Sequence, residues 1–516
     1  MNITEPIWRN CHAWPARTAV VFGGRPMRYQ ALRLAAERAL ARLAAAGLVR
    51  GGVAALAVNN PLAYLVLVLA AVRLGATITP FKVHWPAATQ RELLARHGVR
   101  WLIVDQDAMP AEAANAGVTR LDARELLSMG VGGDGQTPAH APAGEGEAIW
   151  HLALSSGTTG VFKSIPQSHA RSLLAWTLVS DASSDHDERV LVMADLASAM
   201  GLGAALRPLV AGASVMLLPG FSASAFFEAV RRDQPTRVVT STSNIGDVVA
   251  FARQKLPDSL ATCSSLRSVS VTGAMVPRAL REAIIAQVCP QLEIPYGATE
   301  TGRLATATPE TLRVRPESAG RVHPWVQAQA VDDHYQPLAE GLHGMLRFRT
   351  PFMAGAYLGD QRATARSFRD GWCYTGDTGS VDGAGYLTLG GRTDHVLNLG
   401  GVKLDPAPIE QLMNGLPGVR ESVALAISIG PGVPALVAVL VTDGVVDAEA
   451  MKQACRFRLG AAAVPAVVVA VPALPRNPAG KLLRAELAAR VAAALGHGPQ
   501  ARLAADASQA GAHGMD

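Results

Sequence analysis

Lysine is scarce in this chain: only six of its 47 basic residues are lysines, at positions 82, 163, 255, 403, 452 and 481. Arginine carries the ordinary surface charge, so a position that keeps lysine is a candidate for a compact point charge. Cysteine is also thin. The five, Cys11, Cys263, Cys289, Cys373 and Cys455, are scattered, odd in number and without a C-x-x-C pair, which excludes a disulfide framework and a zinc ribbon and leaves them as small buried hydrophobes. No apolar run is long enough for a bilayer: Leu62 to Val72 is closed by Arg73. The opening MNITEPIWRNCHAWP lacks a basic stretch followed by an apolar core. These absences predict a cytoplasmic protein without a membrane span. The arginines form no run and the net charge is only +5, so a nucleic-acid surface is not indicated. No internal repeat is visible.

What is present is a 516-residue chain, 49% apolar, long enough for two or three domains with sizeable cores. Its first third alternates periods. Tyr29, Leu32, Ala36, Leu40 and Leu43 recur at helical spacing, VAALAV (53–58) reads as a buried strand, Leu62 to Leu74 as a buried helix and WLIVD (101–105) as another strand. Such alternation predicts α/β layers with parallel strands. The Gly/Pro/Ala-rich stretch 131–147 reads as an exposed loop. Further strands are expected at Val190 to Met193, Ser214 to Leu218, Arg237 to Thr240 and Ser268 to Thr272. After about residue 320, short β-like pieces such as GMLRFRT and GYLTLGGR suggest a small β-barrel-like part. A C-terminal α+β block follows, with a helix from Asp447 to Leu459, and the polar end of the chain is expected to be disordered.

The string LALSSGTTGVFKS (152–164) is the first to carry chemistry. From Gly157 it nearly fits G-x-x-x-x-G-K-[ST], but Phe162 takes the second glycine's place and Pro166 would cut into the helix that must follow a Walker loop. A Walker ATPase is therefore a poor reading. Ser155, Ser156, Thr158 and Thr159 set four hydroxyls around Gly157 and Gly160, with Lys163 close behind, the donors a polyphosphate needs. An ordinary Ser/Thr/Gly surface turn is the other reading.

Four more stretches accompany it: YGATETG (296–302), YTGDTG (374–379), GRTDHVLNLGGVKL (391–404) and PRNPAGKLLR (475–484). Taken together and in this order, from about residue 10 to about residue 490, the chain closely resembles the adenylate-forming superfamily of acyl-CoA synthetases, adenylation domains of nonribosomal peptide synthetases and beetle luciferases. The resemblance implies a large N-terminal α/β domain (1–393) that binds ATP and the acyl group, a small mobile C-terminal domain (394–495) and a disordered tail (496–516). It implies ATP, Mg²⁺ and coenzyme A as cofactor and co-substrates, and a small-molecule carboxylic acid as substrate. It also gives the residues roles. Tyr296 with Gly297 lies against the adenine, Gly273 and Ala274 line the nucleotide, Thr158 and Thr299 reach phosphate, and Glu300 holds Mg²⁺, a hard cation suited to carboxylate oxygen. Asp377 accepts the ribose hydroxyls and Arg392 binds ribose or phosphate; a turn-stabilising Asp is the local alternative for Asp377. Lys481 bridges the attacking carboxylate and the α-phosphate. Asp394 is the hinge on which the C-terminal domain turns, and Gly400, Gly401 and Lys403 serve the thioester step.

The chain departs from the family's pattern at Phe162 and Ser164, where Pro and Gly usually flank the loop lysine. The Phe-His pair of many synthetases is missing from MADLASAMG, which leaves Asp195 or Ser198 in its place; Asp195 is either a partner for a substrate amino group or a surface Asp ending a strand. His169 is either a family histidine or a core or capping one. The acyl pocket is expected near Ser198, Ser243, Met275, Ala298, Gly302 and Arg303, with Arg303 either selecting a second anionic or polar group or facing solvent. Three functions compete: a carboxylate–CoA ligase, a stand-alone enzyme loading a separate acyl carrier protein, and a catalytically impaired regulatory paralogue. Intact Lys163, Glu300, Asp377, Arg392 and Lys481 argue against the last.

Overall fold

The computed structural model describes all residues except 106–110, 129–144, 157–161, 180–185, 396, 400–401, 429–433, 445, 477–481 and 497–516. The chain divides into two compact units that interleave in sequence. The first comprises 1–329, 347–375 and 381–388; the second comprises 330–346, 376–380 and 389 onward.

The first unit is built on two sheets. One has six strands in the spatial order Thr119–Asp122, Trp101–Val104, Val53–Ala57, Thr77–Pro80, Ile149–Ser156 and Phe162–Ser168. The first five are parallel and the last turns back antiparallel. The other sheet runs through a parallel core of Ser214–Leu217, Arg189–Val192, Arg237–Ser241, Ser268–Thr272 and Leu292–Ala298. Period-two alternation sorts side chains between cores. Ala54 and Leu56 join a core that also takes Val190, Val192 and Val215 from the larger sheet, while Ala55 and Ala57 pack on the far side with Leu93, Leu94 and Leu102. The helix Pro61–Leu74 fills the shared core, every residue from Tyr64 to Val72 buried. Its apolar character on all sides has this cause, and each fully buried Leu or Val contributes about 1.5–3 kcal/mol. Asn60 caps it, accepting from the Ala63 amide at 3.0 Å, and Pro61 in its first turn has no N–H to leave unsatisfied.

The expected β-barrel-like part takes a different form. After Leu292–Ala298 the strands Gly302–Ala307, Ser318–Val322 and Tyr386–Arg392 add on antiparallel, so these pieces extend the larger sheet. Among the described residues they close into no barrel, because each finds its partner on an edge of the existing sheet.

The second unit carries a three-stranded sheet, Val419–Ile427 and Ala435–Thr442 antiparallel with Val467–Ala470 parallel to the latter. Ala438 and Leu440 face the helices Ala407–Asn414 and Ala448–Leu459, while Val437 and Val439 face Leu487 and Val491 of Arg484–Gly496. This is the anticipated α+β block. Its second helix begins where Asp447 caps the Glu449 and Ala450 amides. All five cysteines are buried and none forms a disulfide. Among the described residues no helix is long and apolar enough to cross a membrane.

Candidate active site

The hydroxyl-rich motif is framed by a hairpin. Strands Ile149–Ser156 and Phe162–Ser168 pair with Ser155 opposite Lys163 and Ser156 opposite Phe162. A second strand, not a helix, follows the motif, so the Walker reading is excluded by topology. Gly157, Thr158, Thr159 and Gly160 lie outside the described residues, and Ser156 is described as backbone only. The two departures from the family's pattern have structural employment. The Phe162 ring packs on Trp85 at 4.8 Å between centroids, and its carbonyl accepts from Arg96 Nη1 at 2.8 Å. Buried Ser164 meets His97 Nε2 at 2.6 Å, and His97 Nδ1 meets Thr79 Oγ1 at 3.0 Å. Burial pushes the His97 imidazole down to about 4, so it is neutral at physiological pH and serves this buried chain of hydrogen bonds.

A second feature meets the hairpin from YGATETG. Thr301, fully buried, receives the Ala298 amide on Oγ1 at 3.2 Å and donates its own amide to the Ala298 carbonyl at 3.2 Å. The turn needs both glycines. Gly302 has φ +69° with Phe352 Cε2 2.6 Å from where a Cβ would stand, and a Cβ on Gly297 would lie 2.1 Å from the Gly302 carbonyl. Glu300 projects from this turn, its carbonyl held by the Ala354 amide at 2.8 Å. Its Oε1 accepts from the Tyr357 hydroxyl at 2.8 Å and from Ser155 Oγ at 3.4 Å. Lys163 Nζ sits 4.8 Å above the Tyr357 ring. Four side chains from three parts of the chain thus converge, and three of them, Ser155, Lys163 and Glu300, are expected from the sequence. Tyr357 is not: it stands in AYLGD, 57 residues from Glu300, where no spacing rule links the two.

Both protein donors to Glu300 address Oε1, and among the described residues no protein donor addresses Oε2. A half-buried carboxylate with one oxygen so placed fits a Mg²⁺ ligand, because a hard cation takes oxygen and keeps its remaining positions for phosphate and water. Tyr296 packs against Phe348 at 6.0 Å, and the Thr299 carbonyl accepts from Gln167 Nε2 at 3.3 Å.

The expected acyl-pocket residues cluster at the carboxyl ends of the parallel strands, where open α/β sheets bind ligands. Ser241 and Thr272 are in register at that edge. Beyond them come exposed Ser243, then Gly273 and Ala274, whose carbonyl accepts from Thr242 Oγ1 at 3.3 Å, then Met275, 79% exposed. Ala298 faces Gly302 across the antiparallel pair, and half-buried Arg303 faces Gly297. Ser198 caps the helix Ala199–Ala211, accepting from the Gly201 amide at 3.0 Å and donating to the Asp195 carbonyl at 2.6 Å. Asp195 pairs with Lys82 at 2.9 Å; its charge is already answered from within the protein, which weakens its reading as the partner of a substrate amine. His169 is a core residue, its Nδ1 accepting from the Ile3 amide at 3.1 Å.

In the second unit Asp377 and Arg392 form an ion pair at 3.0 Å. Thr393 Oγ1 donates to the Gly376 carbonyl at 3.1 Å, and the Gly391 amide donates to Thr378 Oγ1 at 2.9 Å. Asp394 and Lys403 are described as backbone only, and Gly400, Gly401 and Lys481 lie outside the described residues. The residues flanking 477–481 are held: Arg476 bridges Leu482 along the backbone and pairs with Glu421 at 2.9 Å. Arg484 pairs with both Glu410 oxygens at 2.6 and 2.8 Å.

Comparison with known proteins places the whole chain. Residues 7–358 match the AMP-binding enzyme family, and residues 408–481 match the AMP-binding enzyme C-terminal domain. The chain is 30% identical to the indoleacetate–CoA ligase of Aromatoleum aromaticum, over 95% of this chain and 98% of that protein. It is 27% identical to the 2-succinylbenzoate–CoA ligase of Bacillus licheniformis, over 94% of this chain and all of the other. The solved o-succinylbenzoate CoA synthetase of Bacillus subtilis, bound to its acyl-adenylate intermediate, shares the fold with a TM-score of 0.80 at 24% identity, covering 93% of this chain and 97% of that one. The protein is a member of the AMP-binding, adenylate-forming enzyme family.

Proposed function

We propose that the protein is an AMP-forming acid–CoA ligase for an aromatic carboxylic acid. The observation that carries this reading is the convergence of Ser155, Lys163 and Glu300 beside the hydroxyl-rich segment. In the first step a carboxylate oxygen of the acid attacks the α-phosphorus of ATP and pyrophosphate leaves. In the second the thiol of CoA attacks the acyl carbon of the adenylate, a proton is lost, AMP leaves and a thioester remains. The acid is already ionised at neutral pH, so no strong base is needed; the obstacle is anion meeting anion. Mg²⁺ held by Glu300 neutralises phosphate charge when bound. Lys163 and the hydroxyls flanking it orient the phosphates, and Lys481 draws the carboxylate toward the α-phosphate, so catalysis is positioning and electrostatics. Asp377 and Arg392 hold the ribose. The C-terminal block, 394–495, is read as turning about Asp394 between two poses, Lys481 serving adenylation in the first and the Gly400-Gly401 segment serving the thioester step in the second.

The aromatic substrate class is supported by the relatives, which are ligases for indoleacetate, 2-succinylbenzoate and, for proteins of Amycolatopsis and Streptomyces, named feruloyl-CoA synthases. Their names also favour CoA over a carrier protein as acceptor. Arg303, half-buried opposite Gly297, is read as selecting acids with a second anionic or polar group. Five buried cysteines outside any disulfide suit a reducing compartment, the cytoplasm. The test is incubation with ATP, Mg²⁺, CoA and a panel of aryl, arylacetic, dicarboxylic, aliphatic and amino acids, read by mass spectrometry. An aryl-CoA thioester with AMP is expected. AMP or acyl-adenylate without thioester would transfer the reading to carrier-protein loading, and neither product from any acid would overturn it.

A further inference from the structure

We infer that Tyr357 is a positioning residue for both charged groups of the phosphate site: its hydroxyl orients Glu300 toward a divalent cation, and its ring seats the Lys163 ammonium. The inference rests on the reading of Glu300 as a metal ligand and adds a residue that neither the sequence motifs nor the family match singles out.

The phenol is buried at 6% exposure, and its ring meets Phe368 edge-on at 5.3 Å. Its backbone is tied as well: the Tyr357 amide donates to Thr364 Oγ1 at 3.0 Å, and the next amide, of Leu358, donates to the Ser164 carbonyl at 2.8 Å, one residue beyond Lys163. Tyr357 is thus fixed to the strand that carries the lysine. The hydroxyl has one proton and two neighbours, Glu300 Oε1 at 2.8 Å and Ser367 Oγ at 3.3 Å. The shorter, charge-assisted bond takes the proton, so Ser367 donates to the phenol oxygen in turn. The chain Ser367 to Tyr357 to Glu300, joined by Ser155, fixes Oε1, so Oε2 is the oxygen directed at the ligand.

The ring has the second duty. A lysine tethered by a carboxylate would have its charge cancelled before phosphate arrived. Among the described residues Lys163 has no carboxylate partner, and an aromatic face at 4.8 Å attracts the ammonium while leaving its N–H donors available.

Two variants separate the duties: Tyr357→Phe removes the hydroxyl and keeps the ring, and Tyr357→Leu removes both. The probes are Mn²⁺ with a non-hydrolysable ATP analogue, read by the electron-spin-resonance signal of free Mn²⁺, and the analogue alone in EDTA, read by calorimetry. Loss of the hydroxyl is expected to weaken Mn²⁺ binding about 10-fold, the usual effect of removing a hydrogen bond to a metal-ligating carboxylate. It should leave analogue binding in EDTA unchanged, whereas Tyr357→Leu should weaken that too, by roughly 3- to 10-fold. In a Glu300→Gln background Tyr357→Phe should cost no further Mn²⁺ affinity. Wild-type Mn²⁺ affinity in Tyr357→Phe overturns the inference. So does an undiminished loss in the Glu300→Gln background, because a structural role would act without Glu300. A wild-type protein that binds neither Mn²⁺ nor analogue overturns the reading of the site itself, and this inference with it.

Discussion

Two short segments are expected to touch phosphate, 157–161 in the first unit and 477–481 in the second, and the frames that hold them differ in kind. The first is gripped by a strand ladder whose last pairs are Ser155 with Lys163 and Ser156 with Phe162, by the Phe162 and Trp85 rings, and by the buried chain Ser164–His97–Thr79. Arg96 adds a bond to a neutral carbonyl. The second is gripped by one backbone bridge, Arg476 with Leu482, and by two arginine–carboxylate pairs, Arg476 with Glu421 and Arg484 with Glu410. One frame is mostly neutral and buried, the other mostly ionic. A neutral frame fixes the residues that flank the hydroxyl-rich segment by burial. An ionic frame lets a small domain fix the residues that flank its lysine segment without a large apolar core around them.

The sharpest way to test that division of labour is Lys481→Ala. It should lower ATP–pyrophosphate exchange by roughly 10²- to 10³-fold, the effect of losing one preorganised electrostatic contact. Thioester formation from supplied acyl-AMP should stay within about threefold of wild type, on the proposal that the group acts only in the first step. Equal loss of both steps would end the two-pose account. Next in size is Arg484→Ala. Glu410 also accepts the Ala424 amide at 2.8 Å, and burial raises its carboxyl against the pull of Arg484. Removing one partner of such a pair strands the other, at about 3 kcal/mol. Hydrogen exchange should therefore accelerate across Val419–Ile427 while Ile149–Ser156 in the first unit keeps its protection. Acceleration in both strands would show that the two frames are not independent.

The comparison also marks what could be read from the chain beforehand. The residue pattern located the helices read as Leu62 to Leu74 and Asp447 to Leu459, found at Pro61–Leu74 and Ala448–Leu459, because their causes are local. The order of the five motifs was likewise visible, and with it Lys163, Glu300 and Ser155. What stayed hidden depends on distant pieces being brought together. Tyr357 meets Glu300 across 57 residues, Lys82 meets Asp195 across 113, and His97 meets Ser164 across 67. No periodicity encodes such encounters. The strands after residue 320 were legible as strands, but their addition to an existing sheet edge was not, since a strand's own pattern does not name its partner.

The smallest effect concerns the neutral frame and appears only in acid. His97, His151 and His169 are buried on or beside the hairpin, and burial is the main cause that lowers them to about 4, about 3 and about 4 from an ordinary 6.5. Among the described residues His151 Nε2 has no hydrogen-bond partner. Above the ordinary value both folded and unfolded chains carry these rings neutral, and the stability they allow is complete. As pH falls through 6.5 the unfolded chain takes up protons that the folded one refuses, so stability declines until the native values near 3–4 are reached. Each ring contributes a slope of up to about 1.4 kcal/mol per pH unit in that window. Urea unfolding of the first unit between pH about 7.5 and about 4.5 should show this slope, and His97→Gln should flatten it by one ring's share. The ionic frame responds to a different variable: added salt screens its more exposed pair, Arg476 with Glu421, and leaves buried contacts largely alone. The exchange protection of Val419–Ile427 should therefore fall with salt at constant pH, and that of Ile149–Ser156 should fall with acid at constant salt. A hairpin that resisted acid as well as it resists salt would mean that its buried histidines bind protons where they stand, and that the first frame is not neutral after all.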